Sequence, residues 1–91
     1  MFKSLIVANW KANPDTAEQA LVLARDIEEQ VRAHKNIEVV IAPPAPFLIL
    51  LKQVLQKARL GAQDSFWSSG PYTGEVSWEQ LKNIGVEYVI V

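Results

Sequence analysis

Four short strand-like runs, Leu5–Ala8, Ile37–Ala42, Arg59–Gln63 and Val86–Val91, constrain this chain more than any other feature. They begin 32, 22 and 27 residues apart, about the length of one βα unit. Between them lie segments with helical periodicity. Ala20, Ala24, Ile27 and Val31 recur at spacings of four, three and four, which is one helix face. Leu21 and Leu23 widen it, and Glu18, Arg25, Glu28, Glu29 and Arg32 are expected on the opposite side. Asn13-Pro14-Asp15-Thr16 marks the start of this helix, with Asp15 or Thr16 as cap, and His34-Lys35-Asn36 marks its end. Pro43-Pro44-Ala45-Pro46 stops the second run and opens a second helix whose apolar face is Phe47, Leu50, Leu51, Val54 and Leu55. Ser77-Trp78-Glu79-Gln80 reads as a capping box for a short third helix through Leu81 and Ile84, ended by Gly85. Strands that alternate with helices in this way make a parallel sheet with right-handed crossovers.

The end of the first run is where chemistry is expected. Leu5–Ala8 is uninterrupted, and an uninterrupted apolar run predicts a strand buried on both faces. Asn9 and Lys11 follow it directly. With a side-chain period of two, Val7, Asn9 and Lys11 fall on one face and Ala8 and Trp10 on the other. The carboxyl ends of parallel strands carry the ligand groups of α/β folds. A carboxamide and an ammonium are therefore expected to project together, with Trp10 anchoring the strand from the far side.

Composition removes several classes. Ninety-one residues suffice for one domain, and Lys+Arg 9 against Asp+Glu 10 leaves a formal charge of −1. No basic stripe offers a footprint for nucleic acid or a membrane surface. The absence of cysteine excludes a disulfide scaffold and thiol chemistry. No apolar run approaches the ~18 residues of a spanning helix, and no signal-peptide layout opens the chain, so a cytoplasmic protein is expected. No metal site or cofactor is expected. The lone histidine, His34, falls among charged residues at a helix end, where a solvated side chain is expected.

Asp64 to Gly74 is a long loop for a small domain, and long ordered loops usually carry function. It holds Phe66, Trp67 and Tyr72, which can pack on each other or on a partner.

Several of these segments resemble one family. Ala8-Asn9-Trp10-Lys11-Ala12-Asn13 resembles the first-strand signature of triosephosphate isomerase, and Ala42-Pro43-Pro44 its second strand end. Gly61-Ala62-Gln63-Asp64 and Tyr72-Thr73-Gly74-Glu75-Val76-Ser77 are similar to its third strand and its subunit-interlocking loop. Asn83-Ile84-Gly85-Val86 and Tyr88-Val89-Ile90-Val91 are similar to its third helix end and fourth strand. The likeness runs the length of the chain. Asn-Trp-Lys and Tyr-Thr-Gly-Glu are specific together, though either alone is weak. Ala12 stands where methionine is common, Asp64 where asparagine is common, and the long loop is slightly shortened.

The resemblance implies an α/β fold, the N-terminal half of a (βα)8 TIM barrel, with four parallel strands, three helices and residues 1–91 as a single partial domain. It implies interconversion of dihydroxyacetone phosphate and glyceraldehyde 3-phosphate in glycolysis and gluconeogenesis, without a cofactor. Lys11 would supply electrostatic catalysis and, with Asn9, bind substrate. Thr73, Gly74 and Glu75 would form the loop that reaches a second subunit of a homodimer. The family's proton-transferring histidine and glutamate belong to segments beyond the fourth strand, so the 91 residues are expected to be a truncated and inactive portion. Two other readings stand beside this one. A non-catalytic half barrel would assemble through its unpaired strand edges. A small open anion-binding domain would need a phosphate loop that the glycines do not supply.

Overall fold

The computed structural model describes residues 3–91. The first strand, β1, is Ser4–Asn9, and the helix α1 spans Ala17–Arg32. Thr16 starts that helix from an extended backbone, its hydroxyl accepting from the Gln19 amide at 3.2 Å. Strand β2 is Ile37–Ala42, as its apolar run predicts. A 3₁₀ turn over Ala45–Phe47 carries Pro46 and leads into α2, Leu48–Val54. Strand β3 is Arg59–Ala62. Helix α3, Trp78–Asn83, begins with the expected capping box between Ser77 and Gln80. Gly85 follows it with φ +98°, a conformation that costs other residues a Cβ clash. Strand β4 is only Tyr88–Val89, shorter than its apolar run.

All three strand pairings are parallel and the order is β1-β2-β3-β4. Each strand pairs with its sequence neighbour and the helices form the crossovers. This is a half-barrel of four parallel strands with three helices. Register decides which side chains share a face. Ile6 and Ala8 stand beside Val39 and Ile41, and Ile41 beside Leu60, on the helix side. There Val39, Ile41 and Leu60 join Ala20, Ala24, Val31, Leu48, Leu51, Leu81 and Val86 in the core. Trp10 packs against this cluster, as expected of an anchor for the strand end. The opposite face carries Leu5, Val7 and Asn9 beside Glu38, Val40 and Ala42, then Arg59, Gly61 and Tyr88. A Cβ on Gly61 would stand 2.8 Å from Val40 Cγ1, so the strands approach there only because the side chain is missing.

Three expectations need correction. β1 is not buried on both faces: Leu5 is 53% exposed, and Ile6 and Val7 are each 48% exposed. It is an edge strand paired only with β2 among the described residues, so neither face is fully covered. In α2, Leu48 and Leu51 are the buried pair, whereas Leu50 is half-buried. Phe47, Val54 and Leu55 pack against the core as expected, so Leu48 takes the place on the face assigned to Leu50.

The third correction is Glu28, assigned to the solvent side by its charge but only 5% exposed. Its carboxylate oxygens accept the amides of Lys57 at 2.8 Å and Ala58 at 2.9 Å, and the Arg32 guanidinium at 3.2 Å. It therefore ties α1 to the turn between α2 and β3. Burial alone pushes the Glu28 carboxyl up. The Ala58 and Lys57 amides, Arg32 and the Gln56 backbone outweigh it and hold the group below its ordinary 4.5. A carboxylate depressed on folding stabilises above its unfolded pKa, and that contribution is lost as pH falls through the folded value. Glu28→Ala would also orphan the buried Ala58 amide, at about 1–3 kcal/mol, and the part-buried Lys57 amide, at less. We expect chemical denaturation at pH 7 to show a loss of about 2–4 kcal/mol for Glu28→Ala. The difference from the unsubstituted protein should shrink below pH 4.5, as the carboxylate protonates.

Candidate functional site

Three strands bring polar groups to one end of the half-barrel. β1 ends at Asn9, and the ladder continues one residue further through the Trp10 amide, which donates to Ala42 O at 3.0 Å. The chain then turns. Lys11 has φ +58°, in the left-handed region rarely entered by a residue with a side chain. The period-two argument thus holds for Val7 and Asn9 and stops there, because Lys11 lies beyond the strand. Asn9 and Lys11 are nevertheless brought together: Asn9 Oδ1 accepts the Lys11 amide at 2.9 Å. Lys11 is exposed, and its ammonium forms no ion pair among the described residues.

Gln63, one residue past β3, completes the arrangement. Its Nε2 donates to Lys11 O at 2.7 Å and to Ala42 O at 2.9 Å. The carboxyl ends of β1, β2 and β3 are thereby joined by one carboxamide. Sequence reasoning placed Gln63 in the strand without a role. Its signal was positional: a polar side chain just past a parallel strand, as Asn9 is at the end of the first.

The long loop is ordered on itself. Phe66 donates its amide to Val76 O at 2.8 Å and accepts from the Trp78 amide at 3.1 Å, bridging the two ends of the loop. The Phe66 ring lies 4.7 Å from Tyr72 and 5.7 Å from Trp67. The aromatics therefore pack on each other, yet Trp67 remains 76% exposed and open to a further contact. Thr73, Gly74 and Glu75 are all exposed, Thr73 and Gly74 within a turn, and Gly74 adopts φ +82°. Ser69 Oγ donates to Ser77 Oγ at 3.1 Å, linking the loop to the cap of α3.

His34 stands at the far end of the sheet. It follows α1, and the neighbouring Asn36 carbonyl accepts the amide of Ser4, the first residue of β1. The histidine side chain is exposed, and its own carbonyl accepts from Lys57 Nζ at 3.2 Å. Among the described residues no cluster of three histidine or acidic side chains could hold a metal ion. No helix among them is long and apolar enough to cross a membrane.

A half-barrel of four parallel strands with three helices defines part of a βα-barrel protein, a class of fold in which ligand groups lie at the strand carboxyl ends, where Asn9, Lys11 and Gln63 stand here. The family profile described as triosephosphate isomerase matches residues 4–91. The triosephosphate isomerase of Alkaliphilus oremlandii (strain OhILAs) is 42% identical over 95 residues, covering 100% of this chain and 37% of that protein. That of Thermoanaerobacter pseudethanolicus (strain ATCC 33223 / 39E) is 42% identical over 94 residues, with the same coverage. A third relative, the triosephosphate isomerase of Coprinopsis cinerea, is 35% identical over 94 residues, again with 100% of this chain and 37% of its own length aligned. The chain belongs to the triosephosphate isomerase family and spans about 37% of the length of these relatives, at their N-terminal portion.

The loop analysis gives one test. Ser77→Ala removes a cap that the Gln80 amide uses at 3.2 Å, together with the Ser69 link. It is expected to lower stability by about 1 kcal/mol and to speed hydrogen exchange at the Phe66 and Gln80 amides. Exchange at the β2 amides should change no more than that global loss of stability requires.

Proposed function

We propose that these residues form the substrate-facing N-terminal portion of a triose-phosphate isomerase, which interconverts dihydroxyacetone phosphate and glyceraldehyde 3-phosphate. The observation that carries this reading is the placement of Lys11. It sits at the strand carboxyl ends, its backbone is held on both sides, and its ammonium is unpaired among the described residues. In the reaction a base removes a proton from the carbon beside the carbonyl. The resulting enediolate carries its charge on oxygen, and the proton returns to the neighbouring carbon. A fixed ammonium opposes the charge of the phosphate and of that oxygen without the reorganisation that water would need. Asn9 lines the same mouth. The proton-transferring histidine and glutamate of the family are assigned to the remainder of the barrel. His34, at the opposite end of the sheet, is unsuited to replace either.

In this reading Thr73, Gly74 and Glu75 carry the loop into a second subunit of a homodimer. Their exposure and the internal order of the loop support that role. Closure of the barrel by the remaining strands would cover the exposed face of β1. A non-catalytic half barrel that assembles through the same edge is the second reading, favoured by the 53% exposure of Leu5. The isomerase reading places the activity in cytoplasmic glycolysis and gluconeogenesis.

The test uses a coupled assay on dihydroxyacetone phosphate. The 91 residues alone are expected to give no turnover above background. The complete barrel protein is expected to be active, and Lys11→Ala in it should lower kcat/KM by about 10²–10³. A Lys11→Ala protein with unchanged kcat/KM would remove the lysine from the site. Turnover by the 91 residues would show that both proton-transfer groups lie within them.

A further inference from the structure

We propose that the cleft between the end of α2 and the entries to β3 and β4 is a binding site for a small, multiply charged oxyanion. The proposal goes beyond the isomerase reading and does not rest on it.

The cleft has a volume of about 390 Å³ and lies at the amino end of the sheet, opposite the Lys11 mouth. That is room for a small metabolite and not for a polymer. Leu55 and Leu60 supply apolar lining, and three cations, Lys52, Lys57 and Arg59, share the cleft with one acid, Glu87. The acid is already matched. Glu87 pairs with Arg59, whose guanidinium also lies 3.7 Å from Glu38. Two ammoniums are left over, and neither forms an ion pair among the described residues. Both spring from the helix layer, so the charges matched on the concave face do not include them.

A lysine in the last turn of a helix commonly serves the carbonyls that end there. Lys52 holds that place in α2 but reaches elsewhere. Its Cε and Nζ lie 2.5 and 2.9 Å from the point where a Cβ on Gly85 would stand. The stem therefore runs to the turn between α3 and β4, through space that is open because residue 85 has no side chain. Lys57 enters from the turn before β3. Its Nζ donates to His34 O at 3.2 Å, which holds the ammonium without neutralising it. An ammonium has three donors, so two remain for a ligand. Glu28 does not compete for either lysine, because Arg32 and the Lys57 and Ala58 amides meet its carboxylate. Two held ammoniums beside an apolar wall concentrate positive potential where water is partly excluded. A doubly charged oxyanion can accept from both at once, and in doing so it would bridge α2 to the turns that open β3 and β4.

The experiment titrates the complete barrel protein with inorganic pyrophosphate and, separately, with citrate, at constant ionic strength, and follows backbone amide resonances. The Ala58, Gly85 and Glu87 amides are expected to shift saturably, with a Kd of about 1 mM or tighter. The Lys52→Gln, Lys57→Gln double variant is expected to weaken that binding by at least about tenfold, as charge-assisted hydrogen bonds are lost. Tighter binding of pyrophosphate assigns the cleft to phosphate compounds, and tighter binding of citrate assigns it to polycarboxylates. Pyrophosphate also meets the cation at the other mouth, so a Lys11→Ala protein is titrated in parallel, and its cleft shifts are expected to be unchanged. The proposal is overturned if neither anion gives saturable shifts at the three amides up to about 10 mM, the result expected where an acidic side chain from the rest of the barrel already fills the cleft. It is overturned equally if sodium chloride reproduces the shifts, or if the double variant binds as tightly as the unsubstituted protein.

Discussion

The parallel pairing of β1 with β2, held in register from Ser4 opposite Ile37 to Asn9 opposite Ala42, is the constraint on which the rest depends. It settles that Leu5, Val7 and Asn9 face the concave side while Ile6, Ala8 and Trp10 turn to the helices. A slip of one residue would exchange those sets and point Asn9 into the core. The pairing also puts the Ala42 carbonyl where Trp10 and Gln63 can both reach it. The turn at Lys11 begins where this ladder ends. The strand length of β1 therefore acts as a ruler for the site.

Most of the architecture was legible because it rests on local rules. The four runs became the four strands, with β2 matching residue for residue. The Ser77 capping box formed as its spacing required, and Gly85 ended α3 in a positive-φ conformation. What failed to read came from long-range contacts. Glu28 lies between Ala24 and Val31 on the buried stripe of α1, and spacing alone would have put it inward. Its charge argued the other way. The deciding groups, the amides of Lys57 and Ala58, lie 29 and 30 residues along the chain. A buried carboxylate is tolerable only when such donors meet it, and no local pattern announces them.

The site divided along the same line. Asn9 and Lys11 could be singled out as polar residues at a strand end, and the structure brings them together. The reason given for their meeting was only half correct. Alternation carries Asn9 to the concave face, but Lys11 arrives by a left-handed turn that alternation does not describe. Gln63 could not be chosen over Asp64 or Ser65 by its position alone. Its partners are two carbonyls from different strands, and backbone acceptors leave no mark in a sequence.

The two ends of the half-barrel use polar groups in opposite ways. At the strand amino ends charges are matched. Arg59 pairs with Glu87 and lies 3.7 Å from Glu38, and Tyr88 donates to Glu38 at 2.8 Å. The hydrogen bond that Arg59 donates to Glu87, and then the Glu87 charge, raise the Arg59 pKa, so that cation stays bound up with its own neighbours. Glu28 is likewise met in full by its donors on the helix side. At the carboxyl ends the side chains hold backbone instead of one another. Asn9 takes an amide and Gln63 takes two carbonyls, so both carboxamides are spent on shape. The one charge they frame, the Lys11 ammonium, has no counter-ion among the described residues. Pairing it internally would have stabilised the fold a little and left less field for an anion arriving from solvent. On the isomerase reading proposed above, a sheet that pairs its charges at one mouth and leaves the Lys11 ammonium unpaired among the described residues at the other suits a negatively charged ligand at the second.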